Sequence, residues 1–258
     1  AKDLAETSLR FCGQNVPCGT NLLFDTPETC FGIELCEDVW TPIPPSSTMA
    51  INGAEIIFNL AADGESIGKY SYLHSLLSQQ SARCKAGYVY SSCGFGESTT
   101  DVVYDGKGLI YENGTLLAES ERFSMKEQLI ISEIDVERIR NDRRTDTTFT
   151  ASASLYHMHE TNHISTELVN SRELTLTRPI EAHPFVPKGE ELDKRCEEIF
   201  AIQVAGLAKR LVHTNSKTVV IGISGGLDST LALLVCTKTF DKLGLPRKGI
   251  IGITMPGF

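Results

Sequence analysis

The sequence predicts an α/β protein with two domains. Short apolar runs typical of buried strands alternate with amphipathic helical segments in two separate regions of the chain. A polar stretch with little periodicity separates these regions, and a glycine-rich turn in the second region lies between a strand and a helix. A length of 258 residues is sufficient for one large domain or two small ones.

Composition and charge exclude several classes of protein. The chain has 33 acidic and 24 basic residues, and its formal net charge of −9 argues against a nucleic-acid partner. No apolar run approaches the length that spans a membrane, so we expect no membrane partner. None of the eight cysteines forms a Cys-x-x-Cys pair, which disfavours zinc and fits reduced thiols in a cytoplasmic protein.

The first region, residues 1–140, is predicted to contain strands, one clear helix and a hairpin. Four apolar side chains between 72 and 85 lie on one side of a helix. An Asn-Gly turn at 113–114 predicts a hairpin over 108–117. Apolar runs predict strands over 31–35, over 54–60, from 87 onwards and over 129–131.

Residues 141–187 are predicted to form an extended connection between domains, because they are polar and weakly patterned. The second region, residues 188–258, is predicted as a helix over 190–212, a strand over 218–223, a further helix and a strand over 249–254. One such βαβ unit is too small for a doubly wound parallel sheet, which needs several more strands. We therefore expect the chain to be a piece of a longer protein.

The most specific motif is the run Ser-Gly-Gly-Leu-Asp-Ser-Thr at 224–230. Its glycines allow close backbone approach to a ligand, and a helix N-terminus offers free N–H groups to an anion. The Gly-Lys-Ser/Thr ending of a Walker A loop is missing, and the alternative is an ordinary βα turn. The motif resembles the pyrophosphate loop of ATP pyrophosphatases. That resemblance implies an ATP-binding set of Ser224, Gly225, Gly226, Asp228, Ser229 and Thr230.

Cys36 is the second candidate for chemistry. It follows the predicted strand over 31–35 and precedes Glu37 and Asp38, two carboxylates that would disfavour the thiolate of a nucleophile. Taken alone, this pattern favours a structural cysteine beside solvated acids. However, Gly-x-Glu-x-Cys-Glu-Asp-x-Trp at 32–40 resembles the nucleophile segment of the nitrilase, or carbon–nitrogen hydrolase, superfamily. The resemblance implies the C-terminal part of an α-β-β-α sandwich, with Cys36 in a Glu–Lys–Cys triad. Glu37 is a candidate for a supporting role, because a carboxylate beside the nucleophile can orient hydrogen-bond donors.

The order of the two segments resembles the family of glutamine-dependent NAD⁺ synthetases. By that resemblance, Cys36 attacks glutamine, and the released ammonia amidates deamido-NAD⁺ after ATP has adenylated it. ATP and Mg²⁺ are then implied in a doubly wound parallel-sheet domain, with Mg²⁺ at Asp228 and adenine near Met255. Ser66 and Lys69 are the candidate glutamine contacts. We expect the small-molecule substrates deamido-NAD⁺, glutamine and ATP, and a homo-oligomer.

Two features depart from the family pattern. Only 35 residues precede Cys36, and Lys2 is the only lysine among them, so we assign no triad Glu or Lys. We accordingly expect no glutaminase activity from this chain alone. Alanines stand at 61–62, where the family often carries a serine in its glutamine pocket. The alternative functions are another nitrilase-type amidohydrolase or amidotransferase, and a non-catalytic remnant that acts as an interaction protein.

Overall fold

The computed structural model describes residues 7–97, 99–156, 161–167, 176–180, 182–183, 186, 189 and 192–255. Contacts between residues divide the chain into a first unit, Ala1–Arg178, and a second unit, Pro179–Phe258. The first unit begins with an antiparallel hairpin of β1 (Thr7–Phe11) and β2 (Gln14–Cys18). No helix in the described part of the chain combines the length and the apolar character needed to cross a bilayer.

A seven-stranded sheet forms the centre of the first unit, in the order β8-β7-β6-β5-β4-β3-β9. Strands β4, β5 and β6 are mutually parallel, β9 is parallel to β3, and the remaining neighbours are antiparallel. The Asn-Gly hairpin prediction is confirmed, because residues 113 and 114 both have positive φ between β7 and β8. The strands are β3 (Leu22–Asp25), β4 (Cys30–Leu35), β5 (Ile56–Ala61), β6 (Gly87–Ser92), β7 (Gly108–Glu112), β8 (Thr115–Glu119) and β9 (Asn162–Ser165).

Helices α1 (Pro45–Ile51) and α2 (Lys69–Cys84) cover one face of this sheet. The core beneath them combines alternate strand residues with the apolar side of α2, as the helical spacing predicts. The main buried side chains of this core are Leu23, Ile57, Leu73, Leu77, Tyr88, Tyr90, Leu109 and Tyr111.

The opposite sheet face is also apolar but much more exposed. The rings of Phe24 and Phe31 stack with centroids 5.2 Å apart, and Phe58 meets Phe31 edge-on. Beside them, Leu35 and Leu60 are 59% and 53% exposed. A sheet with two apolar faces is typical of a sheet that is buried on both sides.

The strand predicted over 129–131 is wrong, because the structure has no strand there. On the side of Gly108 that faces β8, the backbone N–H and C=O already exchange hydrogen bonds with Ser120. Ile130 packs against Gly108 instead of continuing the ladder, and its neighbours Leu129 and Ile131 are exposed. The apolar run thus packs on the sheet without joining it as a strand.

The structure also differs from the extended connection predicted over 141–187. The described residues there include the second half of α3 (Val136–Thr145), all of α4 (Thr147–Tyr156) and the edge strand β9. Helix α3 buries only Ile139, which explains its weak periodicity. Asp135 caps its first turn, and Arg143 donates to the carbonyls of Ala54, Cys84 and Lys85 at 2.6–3.0 Å.

The second unit contains the predicted βαβ arrangement. Strands β10 (Val219–Gly222) and β11 (Ile250–Ile253) pair in parallel, and a short 3₁₀ helix, Arg247–Gly249, leads into β11. The helices α5 (Leu192–Thr214) and α6 (Leu227–Leu243) pack together, with Val204, Leu211 and Phe240 buried. A segment over 192–214 thus forms the predicted first helix, and the second helix begins directly at the glycine-rich run.

Candidate functional site

Cys36 lies at a sharp turn from a strand into a helix. Strand β4 ends at Leu35, and a 3₁₀ helix runs over Cys36–Trp40. Cys36 has a φ of 47°, in the left-handed region that non-glycine residues rarely adopt, at a cost of about 1–2 kcal/mol. Such strain persists only where the surrounding structure enforces it, and it concentrates at functional sites. The backbone at Cys36 therefore marks this turn, called here the Cys36 elbow, as a candidate site.

Asp38 fixes the shape of the Cys36 elbow from within. Its carboxylate accepts the backbone N–H of Leu35 at 2.9 Å. Its carbonyl accepts both the N–H and the hydroxyl of Thr41, at 3.2 and 2.8 Å. Asp38 is thus engaged in holding the turn, whereas the neighbouring Glu37 side chain is exposed.

A buried polar chain supports the Cys36 elbow from below. Asn59 Nδ2 donates to the carbonyl of Cys36 at 3.3 Å and to the hydroxyl oxygen of Tyr88 at 3.2 Å. The Tyr88 hydroxyl donates to the Glu34 carboxylate, which also accepts the N–H of Ser46 at 2.8 Å. Burial, reinforced by the Glu34 charge, raises the pKa of Tyr88, so its hydroxyl keeps the proton that it donates.

An open cavity of about 600 Å³ adjoins the Cys36 elbow. Lys69 Nζ donates to the Asp63 carboxylate and, at 2.8 Å, to the carbonyl of Gly64. It also lies 5.5 Å from the centroid of the Trp40 ring, within the range of a cation–π contact. The cavity lining is Glu37, Asp38, Trp40, Thr41, Asp63 and Lys69.

Tyr90 connects this cavity to Cys36. Its hydroxyl donates to Asp63 at 3.4 Å. The pKa of Tyr90 is raised by burial first, then by the charge of Asp63 and by the nearby Cys36. The candidate site therefore comprises Cys36, Tyr90 and the Asp63–Lys69 pair, which lie close together.

The structure brings two of the three other predicted glutaminase residues to this cavity. Glu37 and Lys69 line it together. Ser66 is exposed and lines a separate cavity with Glu65 and Arg122. The sequence-based prediction therefore grouped Ser66 and Lys69 by proximity along the chain, whereas the loop directs them to different cavities.

Sequence analysis did not identify three residues of this site, namely Asn59, Asp63 and Tyr90. One signal was available, because Asn59 occupies a strand position whose neighbours on the same face, Ile57 and Tyr88, are buried. A fully buried amide in such a position requires hydrogen-bonding partners. No local pattern pointed to Asp63, because its role depends on contacts with Lys69 and Tyr90 in space.

The second candidate site is the glycine-rich loop of the second unit. Gly225 has a φ of 86°, and α6 begins two residues later. Ser229 Oγ lies 3.3 Å from Ser224 Oγ and donates to the carbonyl of Gly226 at 3.0 Å. Thr230 Oγ1 donates to the same carbonyl at 2.9 Å. These bonds turn the loop tightly into the N-terminus of a 17-residue helix.

Met255 follows the neighbouring strand at the same edge of the sheet. The N–H of Ile223, just after β10, donates to the carbonyl of Ile253 at 2.7 Å. Because β10 and β11 are parallel, the loop at 224–230 and residues 254–255 leave the sheet on the same side. Met255 is 86% exposed at this edge. The structure thus brings the predicted nucleotide-binding residues together.

The N–H and hydroxyl groups of this loop fit a phosphate chain, and its carboxylate fits a hard cation. A Cβ atom built at Gly225 meets no atom within 4 Å, so the loop leaves open space at its backbone. The first N–H groups of α6 have no partner within the helix and favour an anion. Asp228, in the first turn, presents an exposed carboxylate, an oxygen ligand of the kind that Mg²⁺ prefers.

Two family models match the chain in succession. The carbon–nitrogen hydrolase model matches residues 7–144, and the NAD synthase model matches residues 199–258. The first match covers β1 to β8 together with the Cys36 elbow, whereas β9 lies outside it. The second covers the glycine-rich loop and both strands of the second unit.

Relatives with both segments are similar to nearly the whole chain. The glutamine-dependent NAD(+) synthetase of Mycobacterium bovis is 40% identical over 97% of this chain and 38% of its own length. The enzyme of the same name from Mycobacterium leprae is 40% identical over 94% of this chain and 37% of its own length. The chain thus spans less than two fifths of these relatives.

Among solved structures, that of a glutamine-dependent NAD(+) synthetase from Cytophaga hutchinsonii matches 93% of this chain and 30% of its own, with 20% identity and a TM-score of 0.44. The resemblance predicted from the two motifs and their order is confirmed by the family models and the mycobacterial relatives. The chain belongs to the carbon–nitrogen hydrolase family, and an NAD synthase segment follows its hydrolase segment.

Proposed function

We propose that the protein containing this chain makes NAD⁺ from deamido-NAD⁺, using ATP and ammonia released from glutamine. The observation that carries this proposal is the presence, in one chain, of a strained cysteine elbow and a glycine-rich loop that leads into a helix N-terminus. Each belongs to the segment that the corresponding family model matches. The 40% sequence identity with two mycobacterial glutamine-dependent NAD(+) synthetases supports the same conclusion.

At the first site, Cys36 Sγ attacks the side-chain amide carbon of glutamine. The carbon–nitrogen bond breaks, ammonia leaves, and water hydrolyses the resulting thioester to glutamate. Lys69, oriented by Asp63, would contact the glutamine. Glu37, which lines the same cavity, would orient hydrogen-bond donors near Cys36. Ser66 would reach the same substrate only after a rearrangement of loop 62–68. The triad Glu and Lys would be supplied by residues that this chain does not contain.

At the second site, a carboxylate oxygen of the nicotinate ring attacks the α-phosphorus of ATP, and pyrophosphate leaves. Ammonia then attacks the activated carboxyl carbon, and AMP leaves. Ser224, Gly225, Gly226, Ser229 and Thr230 would hold the phosphates, and Met255 would lie at the adenine. Mg²⁺ at Asp228 would neutralise phosphate charge.

The exposed apolar face of the sheet supports a sandwich architecture for the first unit. Phe31, Ile33 and Phe58 would pack against a second sheet, which gives the α-β-β-α arrangement of layers. The first unit would then be the C-terminal part of the glutaminase domain. The second unit would be the start of a doubly wound synthetase domain. We also propose that the protein is a cytoplasmic homo-oligomer.

Replacement of Cys36 by alanine tests the division of labour between the two sites. NAD⁺ formation from ATP and deamido-NAD⁺ is measured with either glutamine or ammonium as the nitrogen source. We expect Cys36→Ala to lower the glutamine-dependent rate by on the order of 10³-fold or more, because the nucleophile is lost. The ammonium-dependent rate should be unchanged.

The matched control is Cys196→Ala, which removes an exposed thiol on α5. It should leave both rates at the level of the unmodified protein. Equal loss of the two rates in a folded Cys36→Ala protein would contradict separate sites. Retention of the glutamine-dependent rate would contradict the role of Cys36 as nucleophile.

A further inference from the structure

Asp25, Cys30 and His163 meet at the end of β4 that is remote from Cys36. Cys30 begins the strand and Cys36 follows it, a separation of about 20 Å along an extended backbone. Asp25 ends β3 and is the cross-strand partner of Cys30. His163 lies on β9, 138 residues from Asp25 in sequence. The cluster is therefore separate from the Cys36 elbow.

The register of three strands places these side chains on one face. His163 pairs with Leu23, and side chains two residues apart on a strand point to the same side, so His163 lies diagonally beside Asp25. His163 Nδ1 is 2.9 and 3.1 Å from the two carboxylate oxygens of Asp25. One ligand atom from each of the three residues lies within 4.8 Å of the others.

We propose that Asp25, Cys30 and His163 bind a divalent transition-metal ion, with Zn²⁺ as the best fit. Sulfur, imidazole nitrogen and carboxylate oxygen are the three ligand types of zinc sites, and they disfavour Mg²⁺ and Ca²⁺, which prefer oxygen alone. In a tetrahedral zinc site, ligand atoms lie about 3.4–3.6 Å apart. The observed separations, from 2.9 Å between His163 and Asp25 up to the 4.8 Å limit of the cluster, bracket this spacing.

Charge and exposure complete the fit to a three-ligand site. One carboxylate and one thiolate neutralise a divalent ion, and the thiol proton of Cys30 passes to solvent when the sulfur binds. The side chains of Asp25 and His163 are 39% and 43% exposed, which leaves room for water as the fourth ligand.

Surrounding groups hold the cluster in place. The Glu55 carboxylate accepts the N–H of Cys30 at 3.4 Å and the hydroxyl of Thr29 at 2.9 Å, and its charge is paired with Arg140. Glu55 therefore fixes the backbone from which the Cys30 side chain projects. Bound metal would join β9 to β3 and β4, so its role is to stabilise the sheet edge.

Cobalt titration tests the site directly. Purified protein is treated with chelator, then titrated with Co²⁺ while the near-ultraviolet and visible spectra are recorded. We expect saturation at about one equivalent, with a thiolate-to-cobalt charge-transfer band and the visible bands of a tetrahedral ion. Zn²⁺ should displace Co²⁺ and abolish both features.

Cys30→Ser should abolish the charge-transfer band. His163→Ala, a change at a partly exposed position, should weaken Co²⁺ binding by more than about tenfold, because even outer partners of metal sites contribute 10–100-fold. The matched control Cys18→Ser lies in the β1–β2 hairpin and should retain the band and the affinity. A band that persists in Cys30→Ser, or unchanged affinity in His163→Ala, would overturn the proposal. Absence of any charge-transfer band in the unmodified protein would show that the three residues form only an ion pair with a neighbouring thiol.

Discussion

Asn59 joins the Cys36 elbow to the interior of the first unit. Its amide donates one hydrogen bond to the carbonyl of the strained Cys36 and another to the Tyr88 hydroxyl oxygen. The Tyr88 hydroxyl in turn donates to Glu34. All three supporting side chains are buried. Glu34 lies on β4, two residues before Cys36, so the strand and its turn are fixed together. The site thus depends on buried polar residues as much as on the cysteine.

Loss of the Asn59 amide should impair glutamine use selectively. We expect Asn59→Ala to lower kcat for glutamine-dependent NAD⁺ formation roughly 2- to 10-fold, because hydrogen bonds contribute about 0.5–1.5 kcal/mol to the positioning of Cys36. The ammonium-dependent rate should not change. Steady-state kinetics with both nitrogen sources provides the measurement.

Asn52→Ala is the matched control for this substitution. Asn52 also has a largely buried amide, but it donates to the carbonyl of Thr48 at the end of α1. It should affect unfolding more than either rate. If Asn59→Ala lowered both rates alike, its role would be general stability instead of support for the Cys36 elbow.

At the scale of elements, a buried ion cluster joins three loops beside the candidate glutamine cavity. Lys107, fully buried, lies 3.0 Å from Glu65 and 3.2 Å from Asp105. Arg122 meets both carboxylates at 2.7 Å and lies over the ring of Tyr70. Glu65 belongs to the loop that also carries Asp63 and leads into α2. The cluster therefore holds in place the loop that presents the Asp63–Lys69 pair.

This cluster should make the first unit sensitive to acid. Burial by itself would raise the pKa of Asp105, but hydrogen bonds with Glu65, Arg122 and Lys107 and the charge of Lys107 outweigh it, so the pKa lies below its usual value. A carboxyl with a lowered folded-state pKa stabilises the fold above its unfolded pKa, near 3.9. That contribution is lost as pH falls from about 4 through the folded-state pKa.

Urea unfolding at pH 7 and near pH 3 measures the effect. Asp105→Asn should be less stable than the unmodified protein at pH 7, by about 3–5 kcal/mol as is typical when one partner of a buried pair is removed. The difference should shrink at the lower pH. Asp101→Asn, an exposed position in the same loop, should show little effect at either pH. A difference for Asp105→Asn that is the same at both pH values would contradict the assigned direction of the pKa.

For the whole molecule, the two units separate two kinds of chemistry. The first unit places the Cys36 thiol near the Asp63–Lys69 pair, and the second offers backbone N–H groups and hydroxyls at the N-terminus of α6. Neither set by itself accounts for the amide-ligase activity that we propose. Under the proposed function, changes in the second unit should therefore affect both nitrogen sources, unlike changes at Cys36.

Substitutions in the loop of the second unit test this expectation. Asp228→Asn and Ser229→Ala should lower pyrophosphate release from ATP and deamido-NAD⁺ with glutamine and with ammonium alike. A hydrogen bond to a charged group contributes about 1.5–3 kcal/mol, so the Ser229→Ala rate should fall roughly tenfold to a hundredfold or more. Cys36 should still react with a glutamine analogue in both variants.

Thr237→Ala is the control for the loop, since its hydroxyl donates to the carbonyl of Leu233 further along the same helix. It should leave pyrophosphate release unchanged. Normal pyrophosphate release by a folded Asp228→Asn protein would show that the glycine-rich turn is structural and that the pyrophosphatase assignment is mistaken.

Local patterns in the sequence determined the α/β class, the Asn-Gly hairpin, the βαβ unit and the two motifs at Cys36 and 224–230. These features depend on side-chain periodicity, on glycine conformations and on residues adjacent in the chain, all of which are visible without a fold. Helix α3 was missed because a cap and Arg143 stabilise it more than an apolar stripe does.

Only the tertiary structure decided which distant residues meet. It placed Ser66 and Lys69 on the walls of different cavities, set Asn59 beneath Cys36, and brought His163 to Asp25 and Cys30, although cysteine spacing had disfavoured zinc. Strand register sets these juxtapositions, and register depends on how whole strands and helices pack to bury their apolar faces. Because that packing is a property of the entire chain, no local window of sequence contains it.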